Sequence, residues 1–154
     1  MPAQRDKATQ ATLDQLLRDY DLTDDTRLYR EAMRDALTPT ATPGVYRLAA
    51  NSAPGDSVID VYGQGHLIQA AQAGPGLSFA ESSRPDWQET MELRVLKAKG
   101  GRESLPDRVE VAVRLQDILR QGGLLYPVES VTVERAWYFT LPEGSVVVRE
   151  VWRG

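Results

Sequence analysis

Apolar residues follow a helical spacing near the start of the chain. The first stripe recurs at i, i+3, i+4 and i+7, which is one face of a helix. A second set repeats at the same spacing over residues 28–37, after a threonine and two aspartates at 23–25 that suit the start of a helix. The pattern predicts two short amphipathic helices within residues 8–37. The residues of the first stripe are Leu13, Leu16, Leu17 and Tyr20.

The hydrophobic pattern changes after residues 38–44. Their sequence, Thr-Pro-Thr-Ala-Thr-Pro-Gly, predicts an extended linker. Beyond it, glycine and proline turn signals recur about every ten residues, a spacing typical of short strands. A short helix is predicted where Leu115–Gln121 runs into Gly122 and Gly123. The predicted strands are Val45–Leu48, Val58–Tyr62, Met91–Val95, Val109–Leu115, Val131–Leu141 and Val146–Trp152.

These elements predict an α+β fold. It comprises an N-terminal helical pair and a mostly antiparallel, twisted sheet of five to seven strands with one or two short helices. We expect residues 1–37 to form a helical segment packed on a sheet domain of residues 45–154. The sequence Pro142-Glu143-Gly144 predicts a turn, and we expect it to join the last two predicted strands as an antiparallel hairpin.

Composition narrows the chemistry that the chain can perform. Its 154 residues include no cysteine and one histidine, which excludes disulfides, thiolate metal sites and cysteine nucleophiles. We expect no bound metal. The net charge of −4 comes without a basic stripe, so we predict no binding to nucleic acid or to anionic membranes. No signal peptide or membrane-spanning run is recognisable in the sequence, which predicts a cytoplasmic protein, with export by a route that needs no cleaved signal as the alternative.

One glycine-flanked loop is a candidate ligand site. Gly63-Gln64-Gly65-His66 follows a predicted strand and precedes a predicted short helix over residues 66–73. Backbone amides in such a loop can bind an anion, and His66 is the one side chain that ordinarily titrates near neutral pH. We therefore predict ligand binding by Gly63, Gly65 and His66. The alternative is a tight turn followed by a polar loop residue.

Two charges fall on the apolar face of the predicted hairpin. Strict alternation places Arg135 beside tryptophan and phenylalanine, and Glu150 lies between valine and tryptophan positions in the next strand. Counting back from the turn puts these two residues nearly opposite each other. We interpret them as a structural ion pair across the hairpin, with a catalytic pair as the alternative.

Three short segments resemble the arginine–serine–glutamate layout of ADP-ribosyltransferase-type toxins. Arg47 ends Val45-Tyr46-Arg47, Ser78 lies within residues 76–79, and a glutamate follows later, with Glu129 and Glu134 both available. The resemblance implies that Arg47 holds a nicotinamide dinucleotide, that the serine strand supports it, and that the glutamate, taken as Glu134, orients the ribose. It covers about eight residues in three places, and the serine–polar–serine spacing typical of the family is absent.

The sequence thus supports two main functions. The first is a small protein that binds a protein partner or a small ligand without a cofactor. The second is an enzyme of ADP-ribosyltransferase-like layout that uses NAD, and convergence of Arg47, His66 and Ser78 in space would distinguish it. A homo-oligomer built through the predicted edge strand, residues 145–152, is a third expectation.

Overall fold

The computed structural model describes residues 5–50, 56–81, 107–129 and 136–153, and these form an α+β fold as predicted. The first half contains α1 (Lys7–Asp19), β1 (Arg27–Met33), β2 (Leu37–Pro39), β3 (Tyr46–Ala49), β4 (Ser57–Ile59), β5 (Leu67–Gln69), α2 (Ala70–Ala73) and β6 (Gly76–Ala80). The second half contains β7 (Arg108–Arg114), α3 (Leu115–Leu119), β8 (Leu125–Pro127), β9 (Ala136–Thr140), β10 (Ser145–Val148) and β11 (Glu150–Arg153).

The described strands form three antiparallel sheets. The largest has six strands in the order β11-β7-β1-β6-β9-β8, within the predicted range of five to seven. A second sheet has the order β10-β3-β2, and a third pairs β4 with β5. The ladder between β1 and β7 is continuous from Arg27, opposite Arg114, to Met33, opposite Arg108. β1 therefore lies inside the largest sheet.

The main hydrophobic core lies between the six-stranded sheet, the three-stranded sheet and α1. Leu28, Val111 and Phe139 contribute from the first sheet, Leu48 from the second, and Leu13 from the helix. A smaller cluster covers the opposite face of the six-stranded sheet, where β4, β5 and α2 pack. The six-stranded sheet is therefore covered on parts of both faces. The smaller cluster is built on Val58, Ala70, Tyr126 and Tyr138.

The first predicted helix is confirmed, and the second is wrong. α1 begins after Asp6, whose carboxylate accepts a hydrogen bond of 2.7 Å from the backbone N–H of Thr9. In place of the second helix, residues 27–33 form β1. Leu28 and Ala32 are four residues apart, a spacing that fits both a helix face and one face of a strand. Pairing with β7 and burial decide for the strand, because tertiary packing overrides local propensity.

The predicted hairpin at residues 142–144 is also wrong, although the turn itself is present. The N–H of Gly144 bonds the carbonyl of Leu141 at 2.8 Å, and Gly144 has a φ of +81°. However, β9 pairs with β6 and β8, whereas β10 pairs with β3. Both strands contribute buried apolar residues to the same core from opposite walls. The turn therefore carries the chain from one sheet to the other.

Buried Gln121 holds this crossing turn. Its side chain is 3% exposed, and its Oε1 accepts a hydrogen bond of 2.9 Å from the backbone N–H of Glu143. Its Nε2 donates to the carbonyl of Ser145 at 3.0 Å. One amide side chain just after α3 thus contacts both sides of the turn, and it shares the carbonyl of Ser145 with Nη2 of Arg47, which donates to it at 3.2 Å.

The remaining predicted elements agree with the structure in part. The predicted strands at 45–48, 58–62 and 109–115 correspond to β3, β4 and β7, and the short helix corresponds to α3. The helix predicted over residues 66–73 is corrected, because its first half is β5 and only Ala70–Ala73 is helical. Residues 91–95 and 131–135 lie outside the described residues. Within the described ranges, no helix is long and apolar enough to cross a membrane.

The position of β1 can be tested with two substitutions on the same strand. Leu28 is fully buried, so Leu28→Ala should lower the free energy of unfolding by about 2–5 kcal/mol. Met33 is 51% exposed, and Met33→Ala should change it by less than about 0.5 kcal/mol. Urea denaturation followed by circular dichroism measures both. Equal effects of the two substitutions would contradict the burial of β1.

Candidate functional site

The strands β1 and β6 separate after a single residue pair. Tyr29 lies opposite Ala80, and no further pair joins the two strands among the described residues. The next residue, Arg30, spans the gap with its side chain. Its Nη1 donates to the carbonyl of Ser78 on β6 at 3.1 Å, and its Nε donates to the carbonyl of Glu31 at 3.1 Å. The guanidinium therefore replaces ladder hydrogen bonds where the sheet opens.

Arg30 is a charged residue in an apolar pattern. It alternates with Leu28 and Ala32, which are both buried. Burial lowers the pKa of the Arg30 guanidinium, while the negative charge of Asp56 raises it. Removing a cation from water costs free energy unless polar partners compensate for the lost hydration. Two carbonyls and one nearby carboxylate supply this compensation.

Asp56 and Ser78 form the wall behind Arg30. The hydroxyl of Ser78 donates to Oδ2 of Asp56 at 2.6 Å, within the range of a strong charge-assisted hydrogen bond. The backbone carbonyl of Asp56 accepts a hydrogen bond of 2.8 Å from the N–H of Ala70. The carboxylate is therefore held in place from both its side chain and its backbone.

An open cleft of about 460 Å³ lies beside Arg30. Most of its wall is apolar and comes from β1, β3 and β6, while a second arginine, Arg108, lies at the rim with its side chain 69% exposed. Nη1 of Arg108 is 3.8 Å from Oε2 of Glu31. We call this space the Arg30 cleft. Its lining residues are Arg30, Glu31, Ala32, Met33, Ala36, Leu48, Ala49, Leu77 and Arg108.

A second cleft also contains an arginine, but that side chain caps a helix. Arg5 lines a space of about 370 Å³ next to the start of α1. Its Nη2 donates to the carbonyls of Leu119 at 2.9 Å and Gly123 at 2.7 Å, which lie at the end of α3. A cation at the C-terminal end of a helix stabilises the exposed carbonyls there. We therefore assign Arg5 to the fold.

The predicted ligand loop forms a tight turn around Asp60. Its carboxylate accepts a hydrogen bond of 3.0 Å from the N–H of Gly63, and its carbonyl accepts one of 2.9 Å from the N–H of Gly65. Gly65 has a φ of +78°, which favours glycine. His66 follows with an exposed side chain. Both glycine amides are thus used within the turn, and ligand binding by this loop stays a prediction.

The structure gives the residues of the ADP-ribosyltransferase-like layout separate surroundings. On β3, Arg47 donates from Nε to the hydroxyl of Ser145 at 2.6 Å, and its Nη2 lies 3.8 Å from Oε1 of Glu143. Ser78 lies on β6 in a different sheet, and His66 immediately precedes β5 in the third. No described hydrogen bond or ion pair joins any two of Arg47, Ser78 and His66. Glu134 lies outside the described residues.

Glu150 has partners that the sequence did not predict. Its Oε1 lies 3.1 Å from Nε of Arg27 and 3.8 Å from Nη2 of Arg114. The arrangement follows from the pairing of β11 with β7, next to β1. The expected partner, Arg135, lies outside the described residues. A carboxylate between two arginines on neighbouring strands is a structural ion cluster, and the pairing of Glu150 with Arg135 stays a prediction.

Sequence reasoning missed Arg30 and Asp56. Residues 27–33 were expected to be helical, and in a helix an arginine between Leu28 and Ala32 would face solvent. In a strand, residues 28, 30 and 32 lie on the same face, so Arg30 lies between two buried apolar residues. The sequence does contain a signal for this arrangement, because apolar, charged and apolar residues follow one another at positions 28, 30 and 32. For Asp56 we find no comparable signal in the sequence.

The comparisons with known proteins concern the fold. No protein-family model matches the chain, and no curated protein sequence does. One solved structure is similar, the crystal structure of AvrPphF ORF2, a type III effector from P. syringae. It has a TM-score of 0.53 and 18% sequence identity, over 90% of this chain and 85% of that chain. At this identity, the similarity supports a shared fold.

Because Arg30 bonds β1 to β6, its replacement should destabilise the protein measurably. Arg30→Ala leaves the carbonyl of Ser78 without its guanidinium donor and should lower the free energy of unfolding by about 1–3 kcal/mol. Arg108→Ala removes an exposed arginine from the same cleft and should change it by less than about 0.5 kcal/mol. Chemical denaturation measures both. A negligible effect of Arg30→Ala would show that the guanidinium does not hold the strands.

Proposed function

We propose that this protein acts by binding a ligand through an anionic group in the Arg30 cleft. The observation that carries the proposal is the position of Arg30, a partly buried guanidinium at the point where two strands separate, beside an open cleft. Arginine presents several N–H donors in a planar fork that fits carboxylate and phosphate groups. Limited access of water strengthens such an interaction.

The rest of the cleft suits a ligand that also has an apolar part. Leu48, Leu77 and Ala32 contribute apolar surface next to Arg30. The volume of about 460 Å³ falls within the usual range for small-molecule sites, about 300–1,000 Å³. The combination of apolar walls and a few polar groups is typical of such sites. We therefore favour a small organic anion as the ligand.

A protein partner is the other form of this proposal. Met33 is 51% exposed at the rim of the cleft, next to Arg108, and methionine and arginine are both enriched where proteins bind each other. The similar solved structure is that of a type III effector, which is compatible with a protein partner. An acidic side chain of that partner would then occupy the position of the small anion.

Direct binding measurements test the proposal. The probes are phenyl phosphate and methyl phenyl phosphate, which combine an anionic group with an apolar ring, and isothermal titration calorimetry measures their affinity. Arg30→Lys keeps the charge and loses the fork, so it should weaken binding by roughly tenfold. Arg47→Lys is the matched control on β3 and should leave the affinity unchanged. Failure of both probes to bind the unsubstituted protein would overturn the proposal.

The second candidate function is an enzyme that uses NAD. The observation that favours it is the contact between Arg30 and Ser78, because the resemblance to ADP-ribosyltransferase-type toxins expects an arginine beside the serine strand. Under this candidate, Arg30 takes the part predicted for Arg47. The reaction would break the glycosidic bond between ribose and nicotinamide in NAD, release nicotinamide, and form a new bond from the ribose to water or to a nucleophile of a protein substrate.

Thermal unfolding with NAD distinguishes this candidate from simple anion binding. NAD should raise the melting temperature, and Arg30→Lys should abolish the increase, whereas Arg47→Ala and His66→Ala should preserve it. Release of nicotinamide, followed by chromatography, reports the reaction. An increase that depends on Arg47 instead of Arg30 would contradict the assignment of Arg30. No increase with NAD would leave binding of another anion as the function.

A further inference from the structure

Asp56 is a fixed negative charge behind the proposed anion site. Ser78 connects it to Arg30, because the Ser78 hydroxyl donates to the Asp56 carboxylate at 2.6 Å and the Ser78 carbonyl accepts from Arg30 at 3.1 Å. No ion pair among the described residues joins Asp56 directly to Arg30. The carboxylate therefore lies near the guanidinium without occupying its donors.

The charges that the described residues place around the cleft balance. Arg30 and Arg108 are positive, whereas Glu31 and Asp56 are negative, and Glu31 lies 3.8 Å from Arg108. The attraction of a site for an anion grows in proportion to the charge of the anion, but the cost of removing the anion from water grows with the square of that charge. A site of nearly zero net charge therefore compensates a monoanion better than a dianion.

We infer that Asp56 determines charge specificity and makes the Arg30 cleft selective for monoanionic groups, such as a carboxylate or a phosphodiester, over dianionic phosphomonoesters. This inference rests on the proposed binding of an anion at Arg30. Asp56 acts through Arg30, by offsetting part of its charge, and it does not contact the ligand. Its hydrogen bond from Ser78 and its backbone contact with Ala70 keep the carboxylate at a constant position.

The experiment compares two probes that share a phenyl ring and differ in charge. At about pH 8, phenyl phosphate is a dianion because its second pKa is about 6, whereas methyl phenyl phosphate is a monoanion. We expect the unsubstituted protein to bind the monoanion at least about threefold more tightly. Asp56→Asn keeps an oxygen acceptor for Ser78 and removes the charge. It should shift the affinity ratio toward the dianion by about threefold.

The control is a substitution that changes the net charge equally at another place. Asp24→Asn alters an exposed aspartate in the turn before β1 and should leave the ratio of affinities unchanged. A tighter affinity of the unsubstituted protein for the dianion would overturn the inference, and this measurement needs no variant. An equal change of both affinities in Asp56→Asn would also overturn it. Failure of both probes to bind would instead overturn the proposed function.

Discussion

The ladder between β1 and β7 is the constraint on which much of the structure depends. It holds residues 27–33 in an extended conformation inside the six-stranded sheet, and it fixes which side chains face the core. On the other side of β1, one residue pair among the described residues connects it to β6. This difference between the two sides leaves a gap in the sheet and puts Arg30 at the gap. The candidate site is therefore a consequence of how one strand is paired.

Local patterns were sufficient for much of the fold. The alternation over residues 109–115 and the stripe on α1 each predicted the class of structure that was found, whereas the predicted linker at 38–44 begins within β2. They were insufficient where one pattern fits two structures. The spacing of Leu28 and Ala32 fits a helix and a strand equally, and only the partner β7, about eighty residues later in the sequence, resolves the ambiguity. A turn such as Pro142–Gly144 likewise does not reveal which strands its arms will join.

The candidate site was harder to predict than the fold. A single histidine and a glycine loop are conspicuous in the sequence and predict a ligand site there. The structure shows instead that the amides of Gly63 and Gly65 are used by Asp60, and that Arg47 binds the turn near Ser145. Arg30 is inconspicuous in the sequence because arginine is common on exposed faces. Its environment is unusual only because residues distant in sequence surround it.

Gln121 affects the candidate cleft from a distance. The cleft opens between Leu77 of the six-stranded sheet and Leu48 of the three-stranded sheet, and the chain passes between these sheets at the turn that Gln121 holds. The two sheets are therefore covalently connected at this point, through a short segment that Gln121 contacts on both sides. Separating the walls would strain that segment and break its buried hydrogen bonds. A turn held in this way favours a fixed aperture of the cleft, which would lower the entropic cost of the proposed binding.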